Sequence, residues 1–207
     1  KAYERNKEAV HNENKYVFNC MNTDKICIFT DTGKMHTIKA VDIPLGRFRD
    51  KGTPVDNLSN YDSSQERMLY VAPVGQLRSD RLLFVTKTSM CKLVEGAEFD
   101  VAKRTIASTK LADEDELIFI GSASEMEQIV LQSHGGCFLR FLTQEVSTMK
   151  KTALGVRGMK LADDDYLEHA YLLAGHQEYT ISYHDKEYAL NKVRLAKRDT
   201  KGIKPRI

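Results

Sequence analysis

The segments Leu111-Ala112-Asp113-Glu114-Asp115-Glu116-Leu117 and Leu161-Ala162-Asp163-Asp164-Asp165-Tyr166-Leu167 follow one pattern, L-A-D-x-D-x-L, 50 residues apart. The correspondence continues upstream. Strand-like runs at 26–30, 82–86 and 129–133 lead into turns at Gly33, Ser89 and Gly136, and nine residues past each turn stands an acid: Asp42, Glu98, Glu145. Basic pairs begin at Lys103, Lys150 and Lys197, 47 residues apart, whereas the first interval, from Gly33 to Ser89, is 56. A period of this size marks stacked supersecondary units that bury their apolar faces on one another, and four-stranded propeller blades repeat every ~40–50 residues.

Within each unit, short runs of Val, Ile, Leu, Phe and Tyr alternate with Gly, Asp, Asn and Ser turns, the pattern of antiparallel β structure. Residues 25–30 and 34–39 around Asp31-Thr32-Gly33, and 128–133 and 137–142 around His134-Gly135-Gly136, read as equivalent hairpins. No segment carries a long helical period, and residues 112–116 read as an exposed acidic turn. Strand alternation places Ile26, Ile28, Leu83, Val85, Ile129 and Leu131 in the interior. The chain is expected to be all-β, with a lead-in at 1–23 containing one strand at 15–20, and repeats at about 24–75, 81–124, 128–175 and 177–207, the last incomplete. Residues 1–14 fit a short helix or an extended lead-in. A start at Lys1 and a last copy that stops at Ile207 read as a piece of a longer protein.

No apolar run approaches the ~18–20 residues of a membrane span. Cys20, Cys27, Cys91 and Cys137 show no metal or redox spacing, and three lie in or beside strands, which fits free thiols in a reducing cytoplasm. The six histidines are scattered, and His169 with His176 has no nearby ligand partner, so no metal site is expected.

Net charge is +2, from 31 basic and 29 acidic residues, but the two signs are segregated. Acids gather at 113–116 and 163–165, while residues 191–207 hold seven basic residues against one acid, Asp199. Each repeat carries a basic loop: Arg47, Arg49 and Lys51; Lys103, Arg104 and Lys110; Lys150, Lys151, Arg157 and Lys160; Lys197, Arg198, Lys201 and Lys204. One such loop is an ordinary solvated turn. Four at one structural position form a track of cations suited to a long polyanion, with Gly and Thr allowing close approach and hydroxyl donation to phosphates. Asp42, Glu98 and Glu145 recur once per repeat, which fits backbone capping rather than catalysis.

The segments 24–33, 81–86 followed by Glu98-Phe99, and 152–161 (Thr-Ala-Leu-Gly-Val-Arg-Gly-Met-Lys-Leu) resemble successive blades of the C-terminal domain of bacterial type IIA topoisomerase A subunits, the gyrase A and topoisomerase IV A family. The resemblance covers about residues 24–207. It implies a β-pinwheel whose basic perimeter binds and bends duplex DNA, with the cleavage tyrosine and the ATPase site in other parts of the enzyme. None of the nine tyrosines is then catalytic, no cofactor is expected in this domain, and the parent enzyme is expected to use ATP and Mg. The implied partners are duplex DNA, the ATPase B subunit, and the rest of the enzyme's A subunit. Gyrase carries a Q-R-R-G-G-K-G box in its first blade; the nearest stretch here, Ala196-Lys197-Arg198-Asp199-Thr200-Lys201-Gly202, lacks the Gly-Gly pair and lies in the last copy. Residues ahead of Asp24 are too few for a further blade. Both departures lean towards a topoisomerase IV-like or divergent gyrase-like subunit. A protein-interaction propeller is the alternative; its Trp-Asp signature cannot occur in a chain without Trp.

Overall fold

A six-residue apolar run, a turn that tolerates left-handed backbone and a second run make each blade's central hairpin. The turn positions Gly33, Ser89 and Gly136 have φ of 75°, 75° and 80°. Ser89 holds this conformation with its side chain engaged: its Oγ accepts the Met159 amide at 2.7 Å. The computed structural model describes residues 2–47, 49–175 and 177–205; Phe48 of the first basic loop, His176 and Arg206 lie outside it.

Blade 1 is built on β1 (Lys25–Thr30) and β2 (Lys34–Lys39), with β3 (Met68–Pro73) on the far side of β1. A short helix leads to β4 (Arg81–Thr86) and β5 (Met90–Glu95). The next strand, β6 (Thr105–Ala107), does not join its own hairpin. It pairs with β2 of the preceding blade, in the register Met35↔Ile106. Blade 2 is completed by β7 (Leu117–Ser122), which pairs with β4. The exchange then repeats. After β8 (Gln128–Ser133) and β9 (Phe138–Leu142), β10 (Val156–Arg157) crosses back to pair with β5, while β11 (Leu167–Leu173) pairs with β8. In blade 3 the same place beside β9 is taken by Ile203, whose amide and carbonyl both bond Phe138. Among the described residues the fourth unit contributes two strands, β12 (Thr180–Tyr183) and β13 (Lys186–Ala189). The array is therefore all-β and propeller-like with an incomplete last blade, as expected, and neighbouring units are tied by exchanged outer strands.

The inner strands β3, β7 and β11 adjoin one another across blades. Backbone bonds from Leu117 N to the Asp31 carbonyl and from Leu167 N to the Lys87 carbonyl, both 2.9 Å, repeat the same link between units. This is the hub, and the exchanged strands lie on the opposite edge, the rim.

Both faces of each central strand are buried against a neighbour, so alternation sorts side chains between two seams. Leu83, Val85, Ile129 and Leu131 fill the seam between blades 2 and 3, while Ile26 and Ile28 lie on the outward face of blade 1 with Ile38. All six residues expected to be interior are buried, but they do not share one interior. Between blades 1 and 2, Phe29, Phe84 and Phe99 pack together, with Phe29 edge-on to Phe99 at 4.9 Å. The outward face of blade 1 is covered by Phe18 and by Val55, Leu58 and Tyr61, which come from the extra length of the first repeat.

The lead-in differs from the strand expected at 15–20. Residues 2–13 form a helix, and 16–20 are irregular. This stretch is anchored by side chains rather than by a ladder: the Tyr16 hydroxyl donates to the Leu69 carbonyl at 2.9 Å and its ring meets Tyr70 edge-on. Side-chain packing takes the place of the ladder that a strand here would have made.

Candidate nucleic-acid interface

The loops 103–110, 150–160 and 197–204 each lead into an exchanged rim strand or bridge, so the topology brings three of the four basic loops to one edge of successive sheets. They are also joined to one another. Lys110 N donates to the Lys151 carbonyl at 3.0 Å, Lys160 N to the Thr200 carbonyl at 2.9 Å, and Asp199 N to the Gly158 carbonyl at 2.7 Å. A groove of about 580 Å³ between the first two is lined by Lys103, Thr105, Lys110, Lys151 and Thr152.

Each of the two later loops is held to the blade before it by that blade's recurrent acid. Glu98 accepts the Lys151 amide at 3.2 Å, its carbonyl accepts from Lys151 Nζ at 3.0 Å, and its carboxylate lies 3.3 Å from Lys150 Nζ. One repeat later Glu145 accepts the Arg198 amide at 2.9 Å, and its carbonyl accepts from Arg198 Nε at 3.0 Å. The capping role expected for these acids is present at Glu98 and Glu145. Asp42 is exposed and makes no such bond among the described residues, although loop 103–110 pairs with β2 of the same blade.

This latch divides the cations. Lys151 and Arg198 are half-buried and committed to the preceding blade. Arg157 pairs with Asp199, Nε to Oδ1 at 2.5 Å and Nη2 to Oδ2 at 3.1 Å, which holds the Asp199 carboxyl below the usual range and raises Arg157 further. Arg104 donates to the Leu58 carbonyl at 3.3 Å. Lys150 is 80% exposed despite Glu98, so its charge faces water. The side chains of Lys103, Lys110, Lys160, Lys197, Lys201 and Lys204 are exposed, with no ion pair among the described residues. Arg47, Arg49 and Lys51 are exposed too, but their loop stands apart: Asp50 folds it on itself, the carboxylate accepting Arg47 N at 2.6 Å.

Gly155 and Gly202, 47 residues apart, show why these loops lie so close to their neighbours. Both have positive φ, and a Cβ would stand 2.7 Å from the carbonyl oxygen of Cys91 or Phe138 on the preceding blade. Lys92, which sequence reasoning passed over, is buried in β5 with its ammonium under loop 150–153. The available signal was a lysine inside the otherwise apolar run Cys91 to Val94.

The family described as DNA gyrase C-terminal domain, beta-propeller, matches residues 24–63, 80–124 and 127–174. The chain belongs to this family. Its relatives include the DNA gyrase A subunit of Ureaplasma parvum serovar 3, 27% identical over 184 residues that make up 86% of this chain and 22% of that protein. The DNA gyrase A subunit of Salmonella typhimurium is 31% identical over 144 residues, 69% of this chain and 16% of that protein. The chain thus spans about a fifth of the length of the curated relatives it matches. Among solved structures, the C-terminal domain of DNA topoisomerase IV superposes with a TM-score of 0.79 at 23% identity, covering 94% of this chain and 65% of that one. A DNA gyrase A C-terminal domain gives 0.65 at 22%, covering 89% and 60%. These likenesses carry the fold, in agreement with the pinwheel that the resemblance implied. Membership of this family makes the chain a β-propeller domain of the DNA gyrase C-terminal type. Among the described residues no helix is long and apolar enough to cross a membrane.

Proposed function

We propose that this domain binds and bends duplex DNA along the rim formed by loops 103–110, 150–160 and 197–204, without reading base sequence. The observation that carries the reading is the backbone linkage of these loops into one continuous edge bearing exposed cations. Cations on such an edge neutralise phosphates and release counterions, an interaction blind to sequence, and a curved edge favours bent duplex. Lys103, Lys110, Lys150, Lys160, Lys197, Lys201 and Lys204 hold the phosphates, with Arg157 and Arg104 able to turn outward. Lys151 and Arg198 act through the loop backbone they hold. Arg47, Arg49 and Lys51 form a second, separate patch.

In this reading the domain serves a longer A subunit in the cytoplasm that acts with an ATPase B subunit. ATP and Mg belong to that enzyme, and no cofactor to this domain. Titrating a random-sequence duplex of ~40 base pairs at several salt concentrations tests the proposal. A linear fall of log affinity with log salt, equal for unrelated sequences, is expected. Binding that ignores salt, or none, refutes it.

A further inference from the structure

β5 is buried on both faces, and it carries a lysine. Lys92 is 1% exposed, and its Nζ donates to the carbonyl oxygens of Ala153 at 2.6 Å and Lys151 at 2.8 Å, with that of Lys150 at 3.5 Å. The Phe84 ring lies beneath, its centroid 5.8 Å from Nζ. An ammonium has three donors, and three carbonyls converge on it. All three belong to the basic loop of the following repeat.

The equivalent position differs in each blade. In blade 1 it is His36, committed to Glu66 at 2.6 Å, and in blade 3 it is Leu139. Among the described residues, only loop 150–153 therefore sits on a buried lysine. The consequence is electrostatic as well as structural. Carbonyl oxygens on a rim repel phosphate, and here they are turned inward onto a cation that adds positive charge beneath Lys150.

We infer that Lys92 is a positioning residue for polyanion binding: it sets loop 150–153 with its carbonyls inward and makes it the strongest phosphate anchor of the rim. This inference rests on the DNA-binding reading above. Burial pushes the Lys92 ammonium down to about 8, and Glu98 opposes that shift. The charged groups around it are Glu98 from the turn after β5, and Lys150 and Lys151 from the loop it holds. Lys92→Leu removes this charge, so the part of any pH-dependent loss of affinity that the variant lacks reports Lys92.

The test measures affinity of the domain for a fluorescent random-sequence duplex of ~40 base pairs from pH 7 to 9 at fixed ionic strength, for the unaltered chain and for Lys92→Leu, the residue blade 3 carries at this position. Affinity of the unaltered domain is expected to fall roughly three- to tenfold across the window, as one charge close to the phosphates is lost. Lys92→Leu is expected to bind that much more weakly at pH 7 and to show no pH dependence, with faster amide exchange confined to residues 150–154. A folded Lys92→Leu that binds and exchanges as the unaltered chain does overturns the inference. Failure of the unaltered domain to bind at pH 7 overturns the DNA-binding reading itself, and is told apart because no affinity remains to titrate.

Discussion

Loops 47–52 and 150–158 read as copies of one element, yet they meet different surroundings. Gly52 and Gly155 both have positive φ; a Cβ on Gly155 would stand 2.7 Å from the Cys91 carbonyl, while one on Gly52 would meet nothing within 4 Å. The later loop is latched by Glu98, seated on Lys92 and bonded to the loops on either side. The first makes no bond to another blade among the described residues: Asp50 accepts its Arg47 backbone amide, and the side chains of Arg47, Arg49 and Lys51 are exposed. A basic loop in a repeat array thus has two functions, joining blades and presenting charge, and its place in the array decides how its cations are divided between them.

The largest difference between the two loops is expected at their glycines. Gly155→Ala should cost about 3 kcal/mol, from left-handed strain together with displacement of β5. Gly52→Ala should cost about 1 kcal/mol, from the backbone conformation alone. Equal losses on urea unfolding would show that the loops are docked alike.

The latch comes next. Arg198→Ala removes side-chain donors from the Glu145 and Arg157 carbonyls and should lower stability by about 1–3 kcal/mol. Arg49→Ala should stay within about 0.5 kcal/mol of the unaltered chain. Thermal unfolding of the two variants side by side measures the difference, and matching midpoints would remove the structural role given to Arg198.

Charge presentation separates the loops in the opposite sense. Replacing Lys103, Lys110 and Lys160 together by Ala should leave the unfolding midpoint unchanged and flatten the slope of log affinity against log salt by about 0.9 for each phosphate no longer neutralised. On a duplex of ~16 base pairs, which one continuous edge can occupy, the triple variant Arg47→Ala, Arg49→Ala, Lys51→Ala should bind nearly as the unaltered domain does. If the two triple variants weaken short-duplex binding equally, the first loop belongs to the same track.

The smallest effect is at the Arg157–Asp199 pair, which lies at the surface. The hydrogen bond and charge of Arg157 depress the Asp199 carboxyl, so the folded value lies below the unfolded one. The stabilisation is present above the unfolded value of about 3.9 and is lost as pH falls through the folded one. A carbon-13 titration of the Asp199 carboxyl should show the depressed midpoint, moving back towards the ordinary range in Arg157→Gln and in high salt.

The hairpins and their turns were legible because the signal is local. Apolar alternation, and the turn residues Gly33 and Gly136, act over a few residues and need no neighbour. The capping role of Glu98 and Glu145 was legible because a residue kept once per repeat suits a repeated structural task. The strand expected at 15–20 was not, since its aromatic residues are spent on side-chain contacts such as Tyr16 with Leu69 and Tyr70. Nor was the exchange of β6 and β10, because a two- or three-residue strand carries no pattern that names its partner.

Residue order alone was enough for the repeat, the all-β class, the segregation of charge and the family. Stacking of the blades was needed to assign alternate residues of one strand to two seams, and to tie down Lys151 and Arg198 while Lys103 and Lys197 stay exposed. It also placed the buried lysine beneath one loop. Periodicity is written along the chain, where each residue contributes independently of the rest. The fate of a cation depends on which carbonyls and carboxylates converge on it from residues about fifty positions away, and that convergence exists only in the folded array.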